Sequence, residues 1–141
     1  MTELGFENIN WLAVVAGGVI CMIVGGIWYG PIAGKAWMAE MGLTEEEIRE
    51  QGAPTGAMIK SFVAALFMST GLAFILSMPA FRDSGWQGGM MTGFIMSILI
   101  VGGSTFPNYA FENKSLRHFL IHMGHTTIAM MLVGAMMGYW P

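Results

Sequence analysis

Three histidines, His118, His122 and His125, are the only histidines in the chain, and all lie in one apolar segment. Spacings of four and three residues put their imidazoles on one face of a helix. Imidazoles bind transition metals, relay protons or join helices by hydrogen bonds. Ionisable groups inside a membrane segment mark a candidate site by default. Seven residues of straight helix cover about 10 Å, so all three rings cannot bind one ion. A pair such as His122 and His125 could, with Cys21 or Glu112 adding a ligand. A haem between two histidines needs them on facing helices, which a symmetric dimer would supply. The reading adopted is structural: the imidazoles hydrogen-bond to neighbouring hydroxyls and carbonyls. Conduction of protons or small cations, and a metal or haem site, stand as the alternatives.

A second polar cluster falls in Gly102-Gly103-Ser104-Thr105-Phe106-Pro107-Asn108. Pro107 donates no backbone hydrogen bond and crowds the Gly103 carbonyl, so the helix is predicted to kink or break there. Irregular backbone at membrane depth must be buried in protein or line a wet cavity. Ser104 and Thr105 would then face His118 and His122 in a polar pocket or path, with Asn108, Tyr109 and Glu112 near its mouth.

The elements that must hold these groups are plain from composition. The 141 residues are 55% hydrophobic and 11% charged, with a mean hydropathy of +0.60, against about 25% charged in a soluble domain. Four apolar runs, at about 10–30, 57–78, 86–109 and 116–140, each suit the ~20 residues of helix that cover a bilayer core. The fold expected is a single all-α membrane domain, a bundle of four transmembrane helices in contact with the lipid bilayer. Lys35, Arg49, Lys60, Lys114 and Arg117 flank the first and third loops, and Arg82 alone lies opposite. That places those loops in the cytoplasm of a bacterial inner membrane, with both termini on the periplasmic side. The first segment carries Glu3 and Glu7 and lacks a basic n-region and cleavage site, so the first helix is expected to be retained. Trp11, Trp86, Tyr139 and Trp140 at one end, and Trp28, Tyr29, Trp37 and Tyr109 at the other, read as two interfacial belts. A net charge of −3 offers no basic surface for nucleic acid.

Small residues recur every four positions. Gly17, Cys21 and Gly25, then Gly26 and Gly30, mark the first span; Ser61, Ala65, Ser69 and Ala73 the second; Gly89 and Gly93 the third; Gly134 and Gly138 the fourth. Such stripes let helix backbones approach closely. There are more than four helices need, which predicts a homo-oligomer or a larger membrane complex. Cys21 reads as one of these small contact residues, and the fifteen methionines as gap-filling core rather than a copper site.

In the first loop, Gly30-Pro31 is expected to end the helix, and Ile32 to Met41 to form a short amphipathic segment in the interface. Thr44 with Glu47 makes a capping box for a second short helix, stopped by Gly52 and Pro54.

Trp28-Tyr29-Gly30-Pro31 followed by Gly34-Lys35-Ala36-Trp37-Met38 resembles the signature of an uncharacterised bacterial membrane family called domain of unknown function 1761. Asn10-Trp11-Leu12, Pro107-Asn108 with Phe111-Glu112, and the Gly-rich run Val133 to Gly138 extend the resemblance over nearly the whole chain. The resemblance implies four spans and supplies no established activity. The chain holds no Ser/His/Asp set, nucleophile motif, phosphate loop or full metal box, so a non-enzymatic accessory or scaffold subunit without a cofactor is expected.

Overall fold

Asn10 opens the first long helix by accepting the Ala13 N–H on its side chain at 3.1 Å, as an N-cap residue should. The computed structural model describes residues 6–141; Glu3 lies outside them. After a turn of 3-10 helix at Phe6–Asn8 come α1 (Trp11–Ile27), α2 (Gly34–Met41), α3 (Glu45–Glu50), α4 (Thr55–Ser77), α5 (Gly85–Ile95), α6 (Gly103–Phe111) and α7 (Leu116–Tyr139). No strand occurs among the described residues. Four helical stretches are long and apolar enough to cross a membrane: Trp11–Ile32, Thr55–Ser77, Gly85–Phe111 and Leu116–Tyr139.

Both prolines inside helices are absorbed rather than breaking them. The first helix runs past Gly30-Pro31 through a wide π turn, Trp28–Ile32, closed by the Ala33 N–H on the Trp28 carbonyl at 2.6 Å. It ends two residues later than the sequence suggests. The third span widens likewise at Met96–Gly102 and then continues as α6 through Pro107. Ser104 donates its hydroxyl to the Val101 carbonyl at 3.0 Å, satisfying a backbone acceptor next to the irregular turn. The expected break is therefore replaced by a continuous helix.

The small-residue stripes set the packing. α5 and α7 run antiparallel with Gly89 against the Gly134 backbone, Gly138 against Gly85 and Gly93 against Met130. A Cβ at any of the four stripe glycines would overlap the facing carbonyl. Ser97 joins the same pair by donating to the Thr127 hydroxyl at 2.7 Å. On the other side of α7, Gly17 of α1 admits Ser69 of α4 and Val133 of α7. Ser69 donates to the Val14 carbonyl at 2.8 Å. Ser69, Val133 and Leu72 are buried at 2% exposure or less. α7 is thus the hub, touched by α1, α4 and α5.

These contacts use nearly all the stripes inside one chain, so the stripes no longer argue for a partner. Besides the exposed Ser61, Gly26 and Gly30 are the exceptions. A Cβ on either would meet nothing within 4 Å, so neither packs a helix within the chain.

α2 begins after Ala33 and ends at Gly42, whose left-handed φ of 67° a side chain would resist. It does not lie alone in the interface. Glu40 accepts the Ser115 hydroxyl at 2.8 Å, which docks α2 onto the start of α7. The capping box of α3 forms as read, with Thr44 accepting the Glu47 N–H at 3.2 Å and Glu47 accepting the Thr44 N–H at 2.8 Å.

Candidate functional site: a histidine chain beside an apolar cavity

Ser115 caps α7 by accepting the His118 N–H at 3.0 Å, which fixes the phase of the helix and hence the face of all three imidazoles. His118 and His122, one turn apart, bring their Nε2 atoms to 3.0 Å. One ring must donate there and the other accept. His122 Nδ1 meets the Tyr29 hydroxyl at 2.5 Å. Tyr29, His122 and His118 therefore form one hydrogen-bonded chain with two self-consistent polarities. In one, Tyr29 donates to His122 and His122 to His118. In the other the order is reversed and the Tyr29 proton is free for a further acceptor.

Aromatic rings enclose the chain. Tyr109 of α6 sets its edge against His118 at 5.5 Å and lies 6.2 Å from His122. Tyr29 also covers His125 at 5.3 Å, and Trp37 of α2 meets Tyr29 edge-on at 6.1 Å. Trp28 donates Nε1–H to the Ile121 carbonyl at 2.8 Å, its ring seated where a Cβ on Gly124 would stand. His118 is 5% exposed. His125 turns away from the chain toward α1, where a Cβ on Gly25 would come within 3.3 Å of its Nε2. That nitrogen is buried without a hydrogen-bond partner among the described residues, and the Cys21 backbone lies beside the ring.

The other residues expected at the site fall elsewhere. Ser104, Asn108 and Glu112 are exposed, and Ser104 is engaged with its own helix. Thr105 is half-buried, and no hydrogen bond joins it to an imidazole among the described residues. Because α6 runs straight through Pro107, Ser104 and Asn108 share its outer face while Thr105 and Tyr109 share the inner one. Of that cluster, Tyr109 reaches the histidines. Glu112 pairs with Lys114 at 2.8 Å, and the Lys114 ammonium lies 5.1 Å from the centre of the Tyr109 ring. The hydrogen bond that Lys114 donates to the Glu112 carboxylate holds its ammonium protonated above its usual range.

Below the chain, α1, α4 and α7 diverge around a cavity of about 730 Å³. Cys21, His122 and His125 all stand on its wall. No group of three or more His, Cys, Asp or Glu side chains is placed to hold a metal ion among the described residues. Both ring nitrogens of His122 are already engaged by Tyr29 and His118. Its remaining walls are mostly apolar, with Thr126 and Ser61 as added hydroxyls.

Trp28 and Tyr29, readable as an interfacial belt, thus line the candidate site, with Thr126 on the cavity wall and Gly124 under the Trp28 ring. The signal for Tyr29 was its place near the inner end of the first span, at the depth of the imidazoles. Nothing in the spacing of Gly124 or Thr126 distinguishes them from other small residues of the span.

No curated protein matches the chain, and no solved structure does. The family described as protein of unknown function DUF1761 matches residues 12–138, and the chain belongs to it.

Proposed function

We propose that this member of the DUF1761 family is a non-enzymatic accessory or scaffold subunit of the bacterial inner membrane, working without a cofactor in a homo-oligomer or a larger complex. Its histidine chain is a latch that fixes the first span and α2 to α7 at the cytoplasmic side, with both termini outside. The observation that carries this reading is the Tyr29–His122–His118 chain, bonded across elements 93 residues apart in sequence. Trp28 to Ile121 and Ser115 to Glu40 reinforce the same seam. In lipid, apolar faces gain little by meeting each other, so hydrogen bonds and close packing decide which helices stay together. Five basic residues around the first and third loops support the cytoplasmic assignment of this end.

The test compares wild type with His122→Ala in lipid nanodiscs and in vesicles. The change leaves the half-buried Tyr29 hydroxyl without its partner, costing about 1–3 kcal/mol. A latch gives a lower melting temperature or a smaller assembly by native mass spectrometry, with no change in proton flux across vesicles. The unbroken chain from tyrosine through two imidazoles also suits a proton relay. A wild-type flux that disappears in His122→Ala at unchanged stability would establish that reading instead. Near-integral iron, copper or zinc per chain, lost in His122→Ala/His125→Ala, would make this a metal or haem protein.

A further inference from the structure

The cavity between α1, α4 and α7 offers more than the latch requires. Its volume of about 730 Å³ falls within the roughly 300–1,000 Å³ of small-molecule sites. Gly26 of α1 and Ala57, Met58 and Ala64 of α4 form an exposed rim, so a ligand could enter sideways between the two helices.

Three features of the wall restrict what would bind. First, among the described residues it carries no Lys, Arg, Asp or Glu. With both His122 ring nitrogens already bonded to neighbours, a carboxylate or phosphate head would meet no fixed countercharge in a medium of low dielectric, which favours a neutral ligand. Second, hydroxyls on the wall are unspent. Thr70 and Thr92 donate to carbonyls of their own helices at 2.7 and 2.8 Å, whereas among the described residues Thr126 makes no such bond, and neither does Ser61. Donors without partners inside a membrane are costly, and a ligand carrying carbonyl acceptors offsets that cost. Third, the rings of Tyr29 and Trp37 and the thioethers of Met22, Met58 and Met68 line the space. Rings and sulfur atoms both favour contact with a flat aromatic-like head.

An isoprenoid quinone has a head that is neutral, planar and carbonyl-bearing, and it is soluble in a bilayer. We infer that the cavity binds the head of an isoprenoid quinone, Thr126 donating its hydroxyl to a carbonyl oxygen, with the tail leaving between α1 and α4. Tyr29 and His122 share this wall with the latch, but Thr126 makes no bond in the Tyr29–His122–His118 chain, so a change at Thr126 leaves the latch's bonds in place and the two readings can fail separately.

The experiment titrates the full chain in detergent with a decyl-tailed benzoquinone, with oleate and decanol as controls, and counts bound ligand by native mass spectrometry. One quinone per chain is expected, bound more tightly than either control. Thr126→Val keeps the shape and removes the donor, and is expected to weaken binding about fivefold. Thr126→Ser restores it, and Ala64→Trp blocks the rim and abolishes binding. Absence of saturable quinone binding overturns the inference, as does equal binding of oleate, which would assign the groove to an acyl chain. Unchanged affinity in Thr126→Val overturns the placement of the head, and that near-isosteric variant remains decisive should Ala64→Trp not fold.

Discussion

Gly134→Ala and Gly26→Ala are the same chemical change, and the packing gives them opposite signs. A Cβ on Gly134 would overlap the Gly89 carbonyl oxygen and stand 2.9 Å from its carbon. Carbon atoms meet comfortably at about 3.5 Å or more, so α5 and α7 must separate by roughly 1 Å. The obstruction is backbone, which cannot swing aside as a side-chain end can. It sits midway between the Gly85–Gly138 and Gly93–Met130 contacts, so the whole seam opens. Overpacking costs about 1–3 kcal/mol, and rigid backbone on both sides puts this case near the top. Alanine returns about 1 kcal/mol of helix propensity, leaving a net loss of about 2 kcal/mol. For a chain of this size that lowers the melting temperature by about 8 °C. Gly26→Ala gains the propensity and meets nothing within 4 Å, so it should melt at the wild-type temperature or a few degrees above it. Helical circular dichroism during heating, in one detergent, reads both. A Gly134→Ala protein as stable as wild type would refute the backbone contact. A Gly26→Ala protein destabilised as much as Gly134→Ala would place Gly26 in a contact between copies.

Two further changes probe other seams. Thr127→Val leaves the Ser97 hydroxyl, fully buried, without its acceptor at 2.7 Å; it should cost about 1–3 kcal/mol, and adding Ser97→Ala should recover part of that loss in the same melt. Thr44→Ala removes one half of the α3 capping box, which costs about 1 kcal/mol locally. It should speed amide exchange in Glu45–Glu50 while the global melting temperature holds, because α3 buries no residue.

The four spans were legible because a run of apolar residues long enough for a bilayer leaves few other choices, and their ends agree with the structure to within about two residues. The α3 cap was legible because Thr44 and Glu47 satisfy each other locally. The i, i+4 meeting of His118 and His122 followed from helix geometry alone. What spacing could not give was the partner. Tyr29 and Trp28 look like interfacial aromatics, and only the π turn at Trp28–Ile32 and the path of α1 along α7 turn them inward. Ser104 and Asn108 were placed at the site on the premise of a helix broken at Pro107. With the helix continuous, the 3.6-residue repeat puts them on the outer face and Tyr109 on the inner one. The stripes were legible as contacts, but their partners were not. Gly89 with Gly134 and Gly17 with Ser69 are pairs within the chain, a fact that a count of stripes cannot supply.

The latch is tested most directly by a double-mutant cycle on Tyr29 and His122, read as thermal stability of wild type, Tyr29→Phe, His122→Phe and the double variant. Groups that share one hydrogen bond should couple by about 1 kcal/mol, so the double variant should lose less than the two single losses added together. Losses that add fully would mean that the two side chains act independently, and would contradict a chain that ties the first span to the fourth.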